Sequence, residues 1–129
     1  MPAKSYELHG VRVLECAAEE PALRSSQDAV AVIGEALAAG AGLVVIPAGR
    51  LDPGFFQLRS GMAGEILQKF VTYRVRLAIV GDLSELVSRS ATLRDFIYET
   101  NRGDAIWLLD DLGEVAKRLA QRGAGPGPA

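Results

Sequence analysis

Hydrophobic and polar positions alternate along this chain between stripes of helical period and short apolar runs of strand length. The clearest stretch is 60–82, SGMAGEILQKFVTYRVRLAIVGD. Met62, Ala63, Ile66, Leu67, Phe70 and Val71 recur at i, i+1, i+4, i+5, i+8 and i+9, which puts all six on one helical stripe. Glu65, Gln68, Lys69 and Thr72 fall on the other face. Ser60 stands where an N-cap belongs, its hydroxyl able to accept from the first-turn amides. Gly61 and Gly64 each cost roughly 1 kcal/mol of helix stability against Ala. Their spacing predicts close approach of another backbone, with an anion at an open helix N-terminus as the alternative. After Tyr73-Arg74, the run Val75, Leu77, Ala78, Ile79, Val80 closes on Gly81-Asp82. A β-branched apolar run of that length predicts a strand buried on both faces, as in parallel sheets covered by helices.

The rest of the chain repeats this alternation. Runs 4–8 and 11–16 are separated by His9-Gly10, which predicts a tight hairpin. Ser26-Gln27-Asp28 opens a helix to about Ala39, with Ala29, Val30, Ile33, Ala36 and Leu37 inward and Gly40 as its C-terminal stop. Gly34 inside it predicts another close contact. Residues 42–47 form a second buried strand that Pro47 ends. In 48–59, Leu51-Asp52-Pro53 starts a helical turn that turns Phe55, Phe56 and Leu58 toward the core, or lines a pocket beyond the strand. A polar connection, 83–92, includes a helical turn. Thr92 caps a further helix with Asp95 as a capping-box acid, Leu93, Phe96, Ile97 and Thr100 inward, and Arg94, Asp95, Tyr98, Glu99 and Arg102 as an outward ladder. Residues 104–109 form a third buried strand, and 112–121 a last amphipathic helix with Val115, Ala116 and Leu119 inward.

The element order predicts an α/β fold: a single-domain, mixed, mainly parallel sheet with an N-terminal β-hairpin and about four helices. Residues 1–122 make one domain, and 123–129, GAGPGPA, a disordered tail. At 129 residues the chain can bury a sizeable core. Hydrophobic residues at 49% and charged residues at 23% describe an ordinary globular balance. The net charge of −2 gives no electrostatic footprint for nucleic acid, and no apolar run reaches the roughly 18 residues of a membrane span. The start MPAKSYELHG has no apolar signal core. A single cysteine, Cys16, excludes an internal disulfide and fits a cytoplasmic, reducing setting, as a buried inert thiol.

Candidate chemistry is sparse. His9, the only histidine, sits at a hairpin tip with no second ligand near it in sequence, so no metal site is expected. No GxSxG, GxGxxG or P-loop spacing occurs, so no cofactor and no catalytic residue is assigned. Asp82 lies beyond the carboxyl end of a strand, where open parallel sheets bind ligands. It heads the ligand-binding candidates, with Glu65, Arg94 and Asn101. The Asp82-Leu-Ser-Glu sequence is equally a turn and helix-start pattern. Arg50 and Arg59 flank the aromatic segment and can meet an anion or stay solvated.

The segments SGMAGEILQKF, YRVRLAIVGD and LRDFIYETNRG closely resemble the family called domain of unknown function 4180, over roughly residues 6–119. The resemblance implies a small bacterial protein and carries over no activity. The element order is also similar, at fold level only, to the sulfate-transporter and anti-sigma-antagonist class of regulatory domain. In that class a Ser or Thr at a helix start can be a phosphorylation switch, which makes Ser60 the positional candidate, before Ser84 and Thr92. The leading expectation is therefore a non-enzymatic regulatory or protein-interaction module, with another protein or a second copy as partner. Ala38, Ala39 and Ala41 or the Phe55-Phe56 segment are candidate dimer patches. A small-ligand binder or weak hydrolase is the alternative.

Overall fold

In a computed structural model, residues 3–19 and 21–124 are described. Five strands form one sheet in sequential order: β1 (Ala3–Leu8), β2 (Val11–Cys16), β3 (Leu43–Pro47), β4 (Arg76–Val80) and β5 (Ile106–Leu109). β1 and β2 are antiparallel, and every later pair is parallel. The expected hairpin is present: His9 and Gly10 both take positive φ, 50° and 82°, the mirror-image turn that matches strand twist. The helices are α1 (Ser26–Ala38), α2 (Met62–Tyr73), the short α3 (Ser84–Ser88), α4 (Ala91–Asn101) and α5 (Leu112–Ala124). The chain is thus a small α/β domain with a mixed, mainly parallel sheet. There are five helices rather than four, because the 83–92 connection holds a short one. Of the expected tail, 123 and 124 belong to α5, and 125–129 lie outside the described residues.

Parallel neighbours in sequential order require crossovers of one hand, which place the connecting helices on one side. On that face Leu14, Val44, Ile46, Leu77, Ile79, Ile106 and Leu108 meet Ile33 of α1, Ile66 and Phe70 of α2, and Phe96 and Ile97 of α4. The other face, with Val13, Leu43, Val45, Ala78 and Trp107, is covered by Val115 and Leu119 of α5. Both faces of β3 and β4 are therefore buried, as their continuous apolar runs require.

Several local expectations change. Ser25 caps α1, accepting from the Asp28 amide at 3.3 Å. Val32 is buried there, whereas Val30 and Leu37 are 38% and 56% exposed. In α2, Gly61 with φ 80° occupies the N-cap position and Ser60 stands one residue earlier, still accepting from the Met62 amide at 3.1 Å. Val71 is 49% exposed. Gly34 and Gly64 face open space, so neither marks close packing. Ser90, not Thr92, caps α4 through the Leu93 amide at 3.1 Å. Asp95 pairs with Arg94 at 3.6 Å instead of closing a capping box. The glycine that does permit close approach is Gly81. A Cβ there would lie 2.8 Å from Cβ of Ala48, so the chain leaving β4 can pass against the chain leaving β3.

Candidate functional site

The carboxyl end of β3 carries a long irregular connection, 48–61, and its packing against the α3–α4 junction leaves a cleft. After β3 the chain runs through three 3-10 turns, Ala48–Arg50, Pro53–Phe56 and Leu58–Ser60. Asp52 starts the second by accepting from the Gly54 amide at 2.9 Å, with Pro53 supplying the fixed φ of a first helical residue. Phe55 is buried and Phe56 meets it edge-on, ring centroids 5.1 Å apart. Arg50 does not face an anion. Its Nε and Nη1 donate to the carbonyls of Pro21 and Ala17 at 2.7 and 2.9 Å, tying the 17–21 loop down.

After β4, Asp82 Oδ1 accepts from the Ser84 amide at 2.9 Å and starts α3. The Ser84 hydroxyl, and after it that amide hydrogen bond, hold the exposed Asp82 carboxyl below its ordinary value. Between the 3-10 turns and the α3–α4 junction lies a cleft of about 640 Å³. Phe56, Leu58, Leu86 and Leu93 form its apolar walls. Arg59, Arg89, Gln57, Ser90 and Thr92 supply its polar groups. The expectation that the 48–59 segment lines a pocket holds for its 56–59 part.

The cleft's electrostatics are one-signed. Its lining contains two arginines and no carboxylate. Most other arginines are engaged: Arg12 with Glu7, Arg24 with Asp28, Arg94 with Asp95, Arg102 with Glu99, and Arg50, Arg76 and Arg118 on backbone carbonyls. Among the described residues, Arg59 and Arg89 make no ion pair and no side-chain hydrogen bond; Arg74, at the end of α2, is the third such arginine.

The residues singled out from sequence lie on different elements and each has its own surroundings. Glu65 is exposed in the first turn of α2. Asp82 is occupied at the start of α3, and Arg94 is exposed beside Asp95. Asn101 spans the free edge of β5: its Nδ2 donates to the Leu108 carbonyl at 2.9 Å and its Oδ1 accepts from the Leu108 amide at 2.7 Å. No hydrogen bond or ion pair joins any two of these four among the described residues. Ser60 is exposed, its hydroxyl donating to the Gly54 carbonyl at 2.8 Å. His9 is exposed at the hairpin tip, and no group of three or more His, Cys, Asp or Glu among the described residues is placed to hold a metal ion. Cys16 is buried and free; burial pushes its thiol up to about 11, against the partial opposition of Arg50. That leaves almost no thiolate near neutrality. Sequence reading found Arg59 but missed Arg89. The only signal for Arg89 is its position between two hydroxyl residues in a polar connection, which does not say what it faces.

The profile of the family described as Domain of unknown function (DUF4180) matches residues 8–119. The chain belongs to the DUF4180 family. No curated protein matches it, and no solved structure does. The likeness of this DUF4180 chain to anti-sigma-antagonist domains therefore rests on element order alone. No helix among its described residues is long and apolar enough to cross a membrane.

Proposed function

We propose that this DUF4180 domain is a non-enzymatic regulatory or protein-interaction module, and that the cleft between the 3-10 turns and the α3–α4 junction is its recognition surface. The observation that carries the reading is the chemistry of the lining. Arginine, glutamine, serine and threonine beside four large apolar side chains can bind and orient a partner. They include no His, Cys, Asp or Glu to move a proton near neutrality. The cleft is lined by the segments that follow β3 and β4 in the chain, and the segments after strand carboxyl ends are where sheets of this type carry ligand sites. Within this reading Ser60, exposed and next to Arg59, is the modification candidate, because phosphate there would change the charge of the cleft's rim.

A photo-crosslinking residue at Gln57, inside the cleft, and another at Gln68, on the exposed face of α2, test the surface. In cells, a discrete protein adduct forms from position 57 and not from 68. Equal adducts from both positions, or none from 57, would sink the proposal. A second reading, a small-ligand binder at the same place, is favoured by the cleft's volume, which falls in the usual range for such sites. Small-molecule density or mass co-purifying with the protein, with no adduct at 57, would select it.

A further inference from the structure

We infer, resting on the reading of the cleft as the recognition surface, that its occupant is an acidic peptide segment of a partner protein. Carboxylates of that segment meet Arg59 and Arg89, and its apolar side chains settle on the part-exposed Phe56, Leu58 and Leu86.

Charge complementarity is the first argument. The chain is acidic overall, with 14 Lys and Arg against 16 Asp and Glu, yet the cleft lining is cationic without a single carboxylate. Two arginines that the fold leaves unpaired converge on one cavity, although arginine elsewhere in this chain mostly finds a carboxylate or a carbonyl. Guanidinium is the side chain whose donor fork matches a carboxylate in two parallel hydrogen bonds. The two sit on separate elements, Arg59 in a 3-10 turn and Arg89 directly after α3, yet line the same cleft, so one ligand can meet both.

The walls supply the second argument. A small inorganic ion needs polar groups on all sides, but the floor here is built from Phe56, Leu58, Leu86 and Leu93. A ligand filling this space is anionic at one edge and apolar along its body. An acidic segment with interspersed leucine- or phenylalanine-like residues has that character. Ser90 and Thr92 belong to the same lining; the Ser90 hydroxyl accepts from the Leu93 amide and keeps its own donor, and both residues can bond the segment's backbone.

The test is selection of a random-peptide display library on the full-length protein, with counter-selection on the R59Q/R89Q double variant. The expected outcome is enrichment of peptides carrying two or more Asp or Glu beside large apolar residues. Their synthetic counterparts bind more weakly as salt rises. Each single substitution, Arg59→Gln or Arg89→Gln, weakens them by about fivefold. Lysine at either position restores charge without the fork and recovers only part of the loss. An enriched consensus without acidic residues, no enrichment, or peptides held equally by the double variant each overturns the inference. Inorganic phosphate shifting the backbone amide signals of 57–59 and 89–93, with no acidic peptide enriched, overturns it in favour of a small phosphorylated ligand. Failure of the acidic segment alongside a specific adduct from position 57 removes only this inference and leaves the interaction module standing.

Discussion

Two pairs of arginines in this domain are used in opposite ways. Arg76 and Arg118 both lie over the Trp107 ring system, 5.0 and 5.3 Å from the ring centroid. Trp107 Nε1 donates to the Gly103 carbonyl at 2.8 Å, Arg76 Nε to the Asp104 carbonyl at 3.0 Å, and Arg118 Nη1 to the Asn101 carbonyl at 2.7 Å. Arg59 and Arg89 share a cleft and make no such bond among the described residues. The first pair closes the loop before β5 and seats α5 on the sheet. The second leaves its donors to solvent or to a ligand. A fold that satisfies arginines at one place and leaves them open at another separates the groups that stabilise from those available for recognition. The contrast can be broken by substitution at either place.

The largest effect belongs at Trp107. It is 2% exposed and anchors the face that α5 alone covers. Trp107→Ala removes its apolar burial, its indole hydrogen bond and both cation–π contacts, at a cost of about 3–5 kcal/mol. For a chain of this size that is a fall in Tm of roughly 10–20 °C by calorimetry. A loss below about 1 kcal/mol would mean that Trp107 does not lock this region.

Asn101 comes next. β5 is a sheet edge, and edges invite pairing with other chains. The Asn101 carboxamide occupies the outward amide and carbonyl of Leu108 as a neighbouring strand would. Asn101→Ala strips both bonds from partly buried groups and costs about 1–3 kcal/mol in urea denaturation. Light scattering on the same samples rises with concentration as the edge is exposed. Asn101→Asp keeps the shape but replaces the donor to the Leu108 carbonyl with an acceptor, so it is no milder. If Asn101→Ala matched the parent in both measurements, the edge would be protected by something else.

Cys16 provides a pH-dependent effect of intermediate size. Its folded pKa, raised to about 11, lies above the ordinary thiol value of 9.0. The folded state therefore holds the proton more tightly. This contribution is complete below about pH 9 and is lost as pH climbs toward 11, with an upper bound of about 2–3 kcal/mol. The half-buried Tyr6 phenol, partly desolvated and donating to Glu15 at 2.8 Å, is shifted in the same direction and loses stability in an overlapping range. Urea midpoints at pH 8 and 10.5 in a Tyr6→Phe background isolate the thiol. The drop between the two pH values shrinks on further substitution Cys16→Ala. An unchanged drop would show that the thiol does not titrate differently on folding.

Much of this architecture is legible in the sequence because β3, β4 and β5 are short, mainly apolar runs closed by Pro, Gly or Asp. His9-Gly10 fixes the hairpin, and Val44 to Ile46 and Leu77 to Ile79 read as two-face-buried strands. The errors fall where the local code is degenerate. α1 offers Ala29, Val30, Ala31, Val32, Ile33, Ala36, Leu37 and Ala38, so apolar residues surround it and period alone cannot choose Val32 over Val30. Ser25 and Ser26, and Ser90 and Thr92, present competing caps, and the start of the helix decides between them. Asn101 reads as a helix end, and nothing local says that its amide reaches Leu108. The cleft is less legible still. Arg59 and Arg89 are 30 positions apart and meet one cavity only because the fold lays the 3-10 turns against the α3–α4 junction.

The smallest stability effect, and the one that sharpens the contrast most, belongs to the cleft arginines. Both are exposed, and neither has a partner to lose among the described residues. Arg59→Gln and Arg89→Gln, singly or together, should therefore move stability by no more than about 0.5 kcal/mol, measured as a urea midpoint. Arg118→Gln, which removes a cation from Trp107 and a donor from the Asn101 carbonyl, should cost about 1–2 kcal/mol by the same measurement. Charge type and residue change are the same in the two experiments, so the difference isolates what each guanidinium touches. A double cleft variant as unstable as Arg118→Gln would assign Arg59 and Arg89 to the fold, and the cleft would lose its claim to be a recognition surface. A stable double variant that no longer yields the crosslinked adduct from position 57 would place the function of these two side chains outside the chain itself.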